Sequence, residues 1–156
     1  MIFHILSGQM TTLFLSMGLL TTLTFNNPIE SFLYGGSKED VFFKVTNNSK
    51  TLAIKPNQKK RFSNLLVVTK KDRYYFNIDY DEKSPHQFVE VRRGVKNHAL
   101  QEKLSTEKFQ VLEGNSSLLF INKKDGPIQV NGKDVKRRHY FSKGVPILVE
   151  GERVLN

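Results

Sequence analysis

Short apolar runs separated by turn-forming residues recur from one end of this chain to the other, and that rhythm limits the fold more than any single motif. In FSNLLVVTKKDRYYFNI, Phe62 to Ile78, the charged knot Lys70-Lys71-Asp72-Arg73 stands between Leu65-Leu66-Val67-Val68 and Tyr74-Tyr75-Phe76. Two apolar runs joined through such a knot fold back as a β-hairpin. VFFKV and TLAIKP flank the Asn-rich turn TNNSK in the same way. Asn131-Gly132, between IQV and KDV, is the strongest of these signals, because both turn positions need φ > 0. Pro56 offers no N–H to a ladder, so it ends its strand or holds it at an edge. Leu65 and Val67 point to one face of their strand and Leu66 and Val68 to the other. Both faces are apolar, so that strand is expected to be central. Tyr74 and Phe76 share the face expected to fill the core, while Tyr75 lies opposite.

The pattern predicts a mainly β fold. A β-sandwich-like N-terminal domain is expected over 1–94, a linker or short helix over 95–110, and a smaller hairpin-rich C-terminal β appendage over 111–156. The 156 residues suit one domain with an appendage. The one candidate helix is VKNHALQEKLSTEKF, Val95 to Phe109, where Leu100 and Leu104 stand four apart among good helix formers. MTTLFLSMGLLTTLTF, Met10 to Phe25, is uncharged, yet it lacks the basic start and small-residue cleavage site of a leader. Its threonines are stiff at χ1 and suit strands. Leu23 and Phe25 alternate with Thr22 and Thr24, so two strands are expected to meet near Met17-Gly18, with no transmembrane segment and no leader.

Chemistry-bearing patterns are sparse. With no cysteine, disulfides, thiolate zinc sites and a cysteine nucleophile are excluded. His4, His86, His98 and His139 do not stand at ligand spacing, and each is read as a surface residue. GGSKED lacks the Gly-Lys-Ser/Thr ending of a phosphate loop. Glu30, Glu39, Asp40, Asp79, Asp81 and Glu82 fall in polar stretches where ordinary solvation accounts for them. No catalytic site, metal or cofactor is expected, and the chain is read as a non-enzyme.

The net charge is +9, which fits an acidic partner such as nucleic acid, or a solubilising surface. The cations are spread over many turns, which favours the second. KKDRYYF mixes cations with aromatics, so a nucleic-acid-binding β-module that stacks bases on exposed rings is the alternative reading.

The order Thr21-Thr22-Leu23-Thr24-Phe25, Pro28, Lys55-Pro56, Asn64-Leu65 and Tyr74-Tyr75-Phe76 resembles the N-terminal β-domain of the TrbG/TraK class of conjugation and type IV secretion proteins. Ser63 stands where that class often has Thr. The resemblance runs from about Leu13 to Val91, and the chain beyond about Lys96 does not follow the class's second domain. It implies a periplasmic or outer-membrane-associated structural subunit of a conjugative or type IV secretion core complex, homo-oligomeric within a hetero-complex. Since members of the class carry a cleaved leader, it also implies a mature fragment or a late start. A subunit of this kind needs exposed sheet edges and faces, and a Thr-rich first strand is one such edge. Phe32, Leu33 and Phe43 are the expected solvent-facing apolar contacts, and Arg73, Tyr75, Arg92 and Arg93 complete the expected partner-binding set.

Overall fold

The computed structural model describes residues 1–156 and is all β, with seventeen strands in four sheets and no helix. No helix is therefore long and apolar enough to cross a membrane. The chain divides into two compact units. One comprises Met1–Phe3 and Met10–Arg92, the other His4–Gln9 and Arg93–Asn156.

The first unit holds strands β1 (Ile2–Ile5, whose second half counts with the other unit), β2 (Met10–Leu15), β3 (Thr21–Phe25), β4 (Ile29–Tyr34), β5 (Val41–Thr46), β6 (Thr51–Pro56), β7 (Asn64–Thr69), β8 (Arg73–Tyr80) and β9 (Phe88–Arg93). They form a five-stranded sheet in the order β1-β9-β3-β6-β5 and a four-stranded sheet in the order β2-β8-β7-β4. The two meet face to face. Leu13, Leu15, Leu65, Val67, Phe76 and Ile78 from one and Leu23, Leu52, Ile54, Val89 and Val91 from the other are all buried. The rings of Phe25 and Tyr74 touch across the interface at 5.4 Å. Each such side chain contributes roughly 1.5–3 kcal/mol on burial.

Two pairs in this unit are parallel, β2 with β8 and β3 with β9. The reason is a repeated crossing. The chain leaves the four-stranded sheet after β2, turns at Gly18 with φ of 80°, and enters the five-stranded sheet as β3. It makes the same crossing from β8 to β9, and the second arch stacks on the first in the same direction. The expected meeting of two strands near Met17-Gly18 is thus an arch between sheets. His86 ties the arches together and is 1% exposed, against the expectation of a surface histidine. Its Nδ1 accepts the Phe14 N–H at 3.0 Å, its own N–H donates to the Phe14 carbonyl at 2.9 Å, and its carbonyl accepts the Thr21 hydroxyl at 2.6 Å. Phe3 meets its ring edge-on at 5.2 Å.

The hairpins follow the sequence signals. Asn47, Asn48 and Ser49 carry φ of 56°, 55° and 66° between β5 and β6. At the charged knot, Thr69 donates its N–H to the Asp72 carbonyl at 2.9 Å, and its hydroxyl accepts the Asp72 N–H at 3.1 Å.

The second unit holds β10 (Gln101–Ser105), β11 (Phe109–Glu113), β12 (Leu118–Asn122), β13 (Ile128–Val130), β14 (Lys133–Val135), β15 (Arg138–Phe141), β16 (Ile147–Val149) and β17 (Glu152–Leu155). Its sheets run β10-β11-β12-β15 and β14-β13-β16-β17. The candidate helix over Val95–Phe109 does not form. Its centre is β10, an edge strand with a bulge between Glu102 and Leu104. Helix propensity is a weak prior, and pairing with β11 overrides it. The start of this segment is pinned by Asn97. Its Oδ1 accepts the Ser116 N–H at 2.7 Å and the Ser117 hydroxyl at 3.0 Å, and its carbonyl accepts the Tyr140 hydroxyl at 2.8 Å. Asn131 and Gly132 form the expected turn, with φ of 49° and 79°.

Candidate assembly surface

The outer face of the four-stranded sheet in the first unit carries an apolar row. Met10 pairs with Tyr75, Tyr75 with Leu66, and Leu66 with Leu33, so one row crosses all four strands. Directly opposed residues of neighbouring strands share a face. Leu65 and Val67 point into the sandwich and are buried, which sends Leu66 and Val68 outward, where both are half-buried. Leu33 is 67% exposed and Met10 38%. Arg73 lies on the same face, opposite Val68, which pairs with Ser31 on its other side. Of the sequence-predicted contacts, Leu33, Tyr75 and Arg73 are therefore brought together. Met10, Leu66 and Val68, which complete the patch, were not singled out. For Leu66 and Val68 the signal was the doubly apolar β7; Met10, on β2, joins them only through register. β7 is flanked on both sides, as expected of a central strand, but only its inner face is buried.

Phe32 and Phe43 lie elsewhere, at the end of the sandwich where the edge strands β4 and β5 come together. The rings of Phe32 and Tyr34 touch Phe43 at 5.4 and 5.3 Å. With Val41, Phe42 and Lys38 they line an open groove of about 370 Å³. The loop that joins the two strands is held by a polar cluster. Tyr34 accepts the Ser63 N–H at 3.2 Å and donates to Asp40 Oδ2 at 3.4 Å, and Lys60 Nζ stands 2.9 Å from Asp40 Oδ1. Asp40 is 7% exposed, so it is not the freely solvated carboxylate the sequence reading made it. The Lys60 ammonium bonded to it holds its pKa below the ordinary aspartate value. Burial pushes the Tyr34 phenol up, with Asp40 adding to the rise and the Ser63 N–H opposing it.

Arg92 and Arg93 join neither group. Arg92 is exposed on the outer face of the five-stranded sheet, paired with Glu90 at 2.9 Å. Arg93 is half-buried and donates to the Ile5 carbonyl at 3.0 Å. The Thr-rich β2 is at a sheet edge, whereas β3 runs inside its sheet. Tyr74 and Phe76 are 5% and 0% exposed, so they fill the core and leave Tyr75 as the ring on the surface. In the second unit, burial and the nearby cations Lys133 and Lys96 push the His139 imidazole down, towards its neutral form. No family model matches the chain, and no curated protein is similar to it.

Proposed function

We propose that the chain is a structural subunit of a conjugative or type IV secretion apparatus, associated with the periplasm or outer membrane, and that it assembles through its N-terminal β-sandwich. The observation that carries this reading is the Met10–Tyr75–Leu66–Leu33 row. An apolar strip across a whole sheet face is a surface for covering by another protein. The TrbG/TraK-like order of Thr21-Thr22-Leu23-Thr24-Phe25, Lys55-Pro56 and Tyr74-Tyr75-Phe76 supplies the apparatus.

The test is photo-cross-linking in intact cells from a photoreactive residue at position 33, with position 88 on the other sheet as control. Adducts to transfer or secretion subunits from position 33, and none from position 88, are expected. A folded, expressed chain with no position-33 adduct to such a subunit refutes the proposal. Tyr75 beside Arg73 also offers a stacking ring next to a cation. Single-stranded oligonucleotide binding that Tyr75→Ala abolishes would put the nucleic-acid reading in its place.

A further inference from the structure

The two sheets of the first unit have four edge strands, and three of these carry a cap or a bulge. β1 leaves the first unit after Phe3, and His4 exchanges backbone bonds with Lys143 inside the other unit at 2.8 and 2.9 Å. On β2, both backbone groups of Phe14 are taken by His86. On β4, a bulge lies between Ile29 and Ser31, and the Ile29 N–H is bound to the Ser49 carbonyl at 2.7 Å. Capping and bulging are the ordinary means of stopping an edge from recruiting another strand. The edge of β5 has none of them. It is six residues long, pairs with β6 in unbroken register and carries a single charge, Lys44.

The alternation of the ladder shows what this edge offers. The Asn57 N–H bonds the Asp40 carbonyl at 2.9 Å, so Asp40 opens a series of residues whose backbone groups face β6. Phe42, Lys44 and Thr46 continue that series. Val41, Phe43 and Val45 consequently turn their N–H and C=O groups outward. Around Phe43 the sequence Val41-Phe42-Phe43-Lys44-Val45 reads valine to valine in both directions, with the one cation mirrored by one ring.

We propose that the occupant of this edge is the β5 strand of a second copy of the chain, antiparallel, with a two-fold axis at Phe43. Phe43 then pairs with Phe43 of the second copy, and Val41 with its Val45. Each is a doubly bonded position made from the outward-facing backbone groups. Phe42 comes opposite Lys44 of the second copy, twice over. Phe42 is 50% exposed on the outer face of its sheet, so the opposing ammonium is free to lie over its ring. No cation faces a cation directly at this register, which is what lets two copies of a +9 chain meet here. The contact is isologous and closes at two copies, joining the two five-stranded sheets into one. It stands on the edge geometry alone and does not require the apparatus reading.

The test is sedimentation of the full-length wild-type chain and two variants at position 42, each checked for native circular dichroism. Wild type is expected to show a concentration-dependent monomer–dimer equilibrium. Phe42→Lys places two Lys–Lys pairs across the axis, and dimer affinity should fall at least tenfold. Phe42→Glu places two Glu–Lys pairs there, and affinity should be kept or rise. A wild-type chain that stays monomeric to about 1 mM (roughly −4 kcal/mol of association) overturns the proposal. So does equal weakening by both variants, since a contact that needs only the Phe42 side chain loses it in either case.

Discussion

His86 is where the stability of the first unit is most exposed to a single substitution. In His86→Phe an aromatic ring, somewhat larger, is kept, but the acceptor for the buried Phe14 N–H is lost. An unsatisfied buried amide costs about 1–3 kcal/mol. His86→Ala also removes the ring seated against Phe3 and Phe14 at 5.2 and 5.8 Å. Its total should reach about 3–5 kcal/mol, the range for emptying a buried aromatic position. His86→Asn carries an oxygen close to where Nδ1 stands and should cost less than Ala. The backbone bonds of His86 to Phe14 and Thr21 survive in all three. The assay is urea unfolding followed by tyrosine fluorescence. Of the five tyrosines only Tyr140 lies outside the first unit, and there is no Trp, so the signal reports mainly on that unit. With a urea slope of about 2 kcal/mol/M, the Phe variant should shift the midpoint by about 0.5–1.5 M. Hydrogen exchange at the Phe14 amide should speed up in Phe and Ala, and least in Asn. If His86→Phe matches wild type in midpoint and in Phe14 protection, the tie between the arches contributes nothing and the argument fails.

Three further outcomes follow from the geometry. Ser117→Ala removes a fully buried hydroxyl that accepts the Asn97 N–H at 2.9 Å and donates to Asn97 Oδ1 at 3.0 Å; the second unit should lose about 1–3 kcal/mol in a denaturant titration. Leu33→Asp should change stability by less than about 0.5 kcal/mol, whereas Leu65→Ala, 1% exposed on the paired strand, should cost about 2–5 kcal/mol. The Asp40–Lys60 pair sets an acid limit. Because the folded carboxyl titrates below its ordinary value, its contribution is intact above about pH 4 and is lost as pH falls through the lowered value. Asp40→Asn should therefore flatten the loss of stability below pH 4 in an acid titration and leave its shape at neutral pH unchanged.

The strands and turns were legible because they rest on local rules. Asn131-Gly132, Asn47-Asn48-Ser49 and the knot at Lys70–Arg73 each prescribe a turn within a few residues. Alternation placed Tyr74 and Phe76 inside. What the sequence hid depends on partners far along the chain. The parallel pairings of β2 with β8 and β3 with β9 join segments more than sixty residues apart, and nothing in either segment names the other. His86 was misread for the same reason, since its burial comes from Phe3, Phe14 and Thr21. At Val95–Phe109 the local signal was present and lost to pairing with β11. The patch was half legible. Leu33 and Tyr75 stood out by type, but their alignment with Met10 and Leu66 is a matter of register between strands.

The two outer faces of the sandwich differ, and the difference bears on what each is for. On the five-stranded sheet Thr24 and Thr51 bond each other at 3.0 Å, Glu90 pairs with Arg92, and Thr22 and Lys44 lie nearby. That face satisfies many of its own polar groups, and its exposed rings, Phe42 and Phe88 at 50% and 72%, stand apart on β5 and β9 with β3 and β6 between them. On the four-stranded sheet the corresponding places hold Met10, Tyr75, Leu66 and Leu33, which water serves poorly. Rewriting the second face in the style of the first tests whether the contrast matters. Leu66→Thr with Tyr75→Thr places a β-branched strand former at each position. Both residues are only half-buried, so the pair should cost no more than about 1–2 kcal/mol, readable as a modest shift in urea midpoint. If the row is the covered surface, the same pair should abolish the position-33 cross-link in cells while the chain stays folded. Survival of that cross-link at wild-type yield would mean the partner reads something other than the row, and the asymmetry between the faces would have no bearing on assembly.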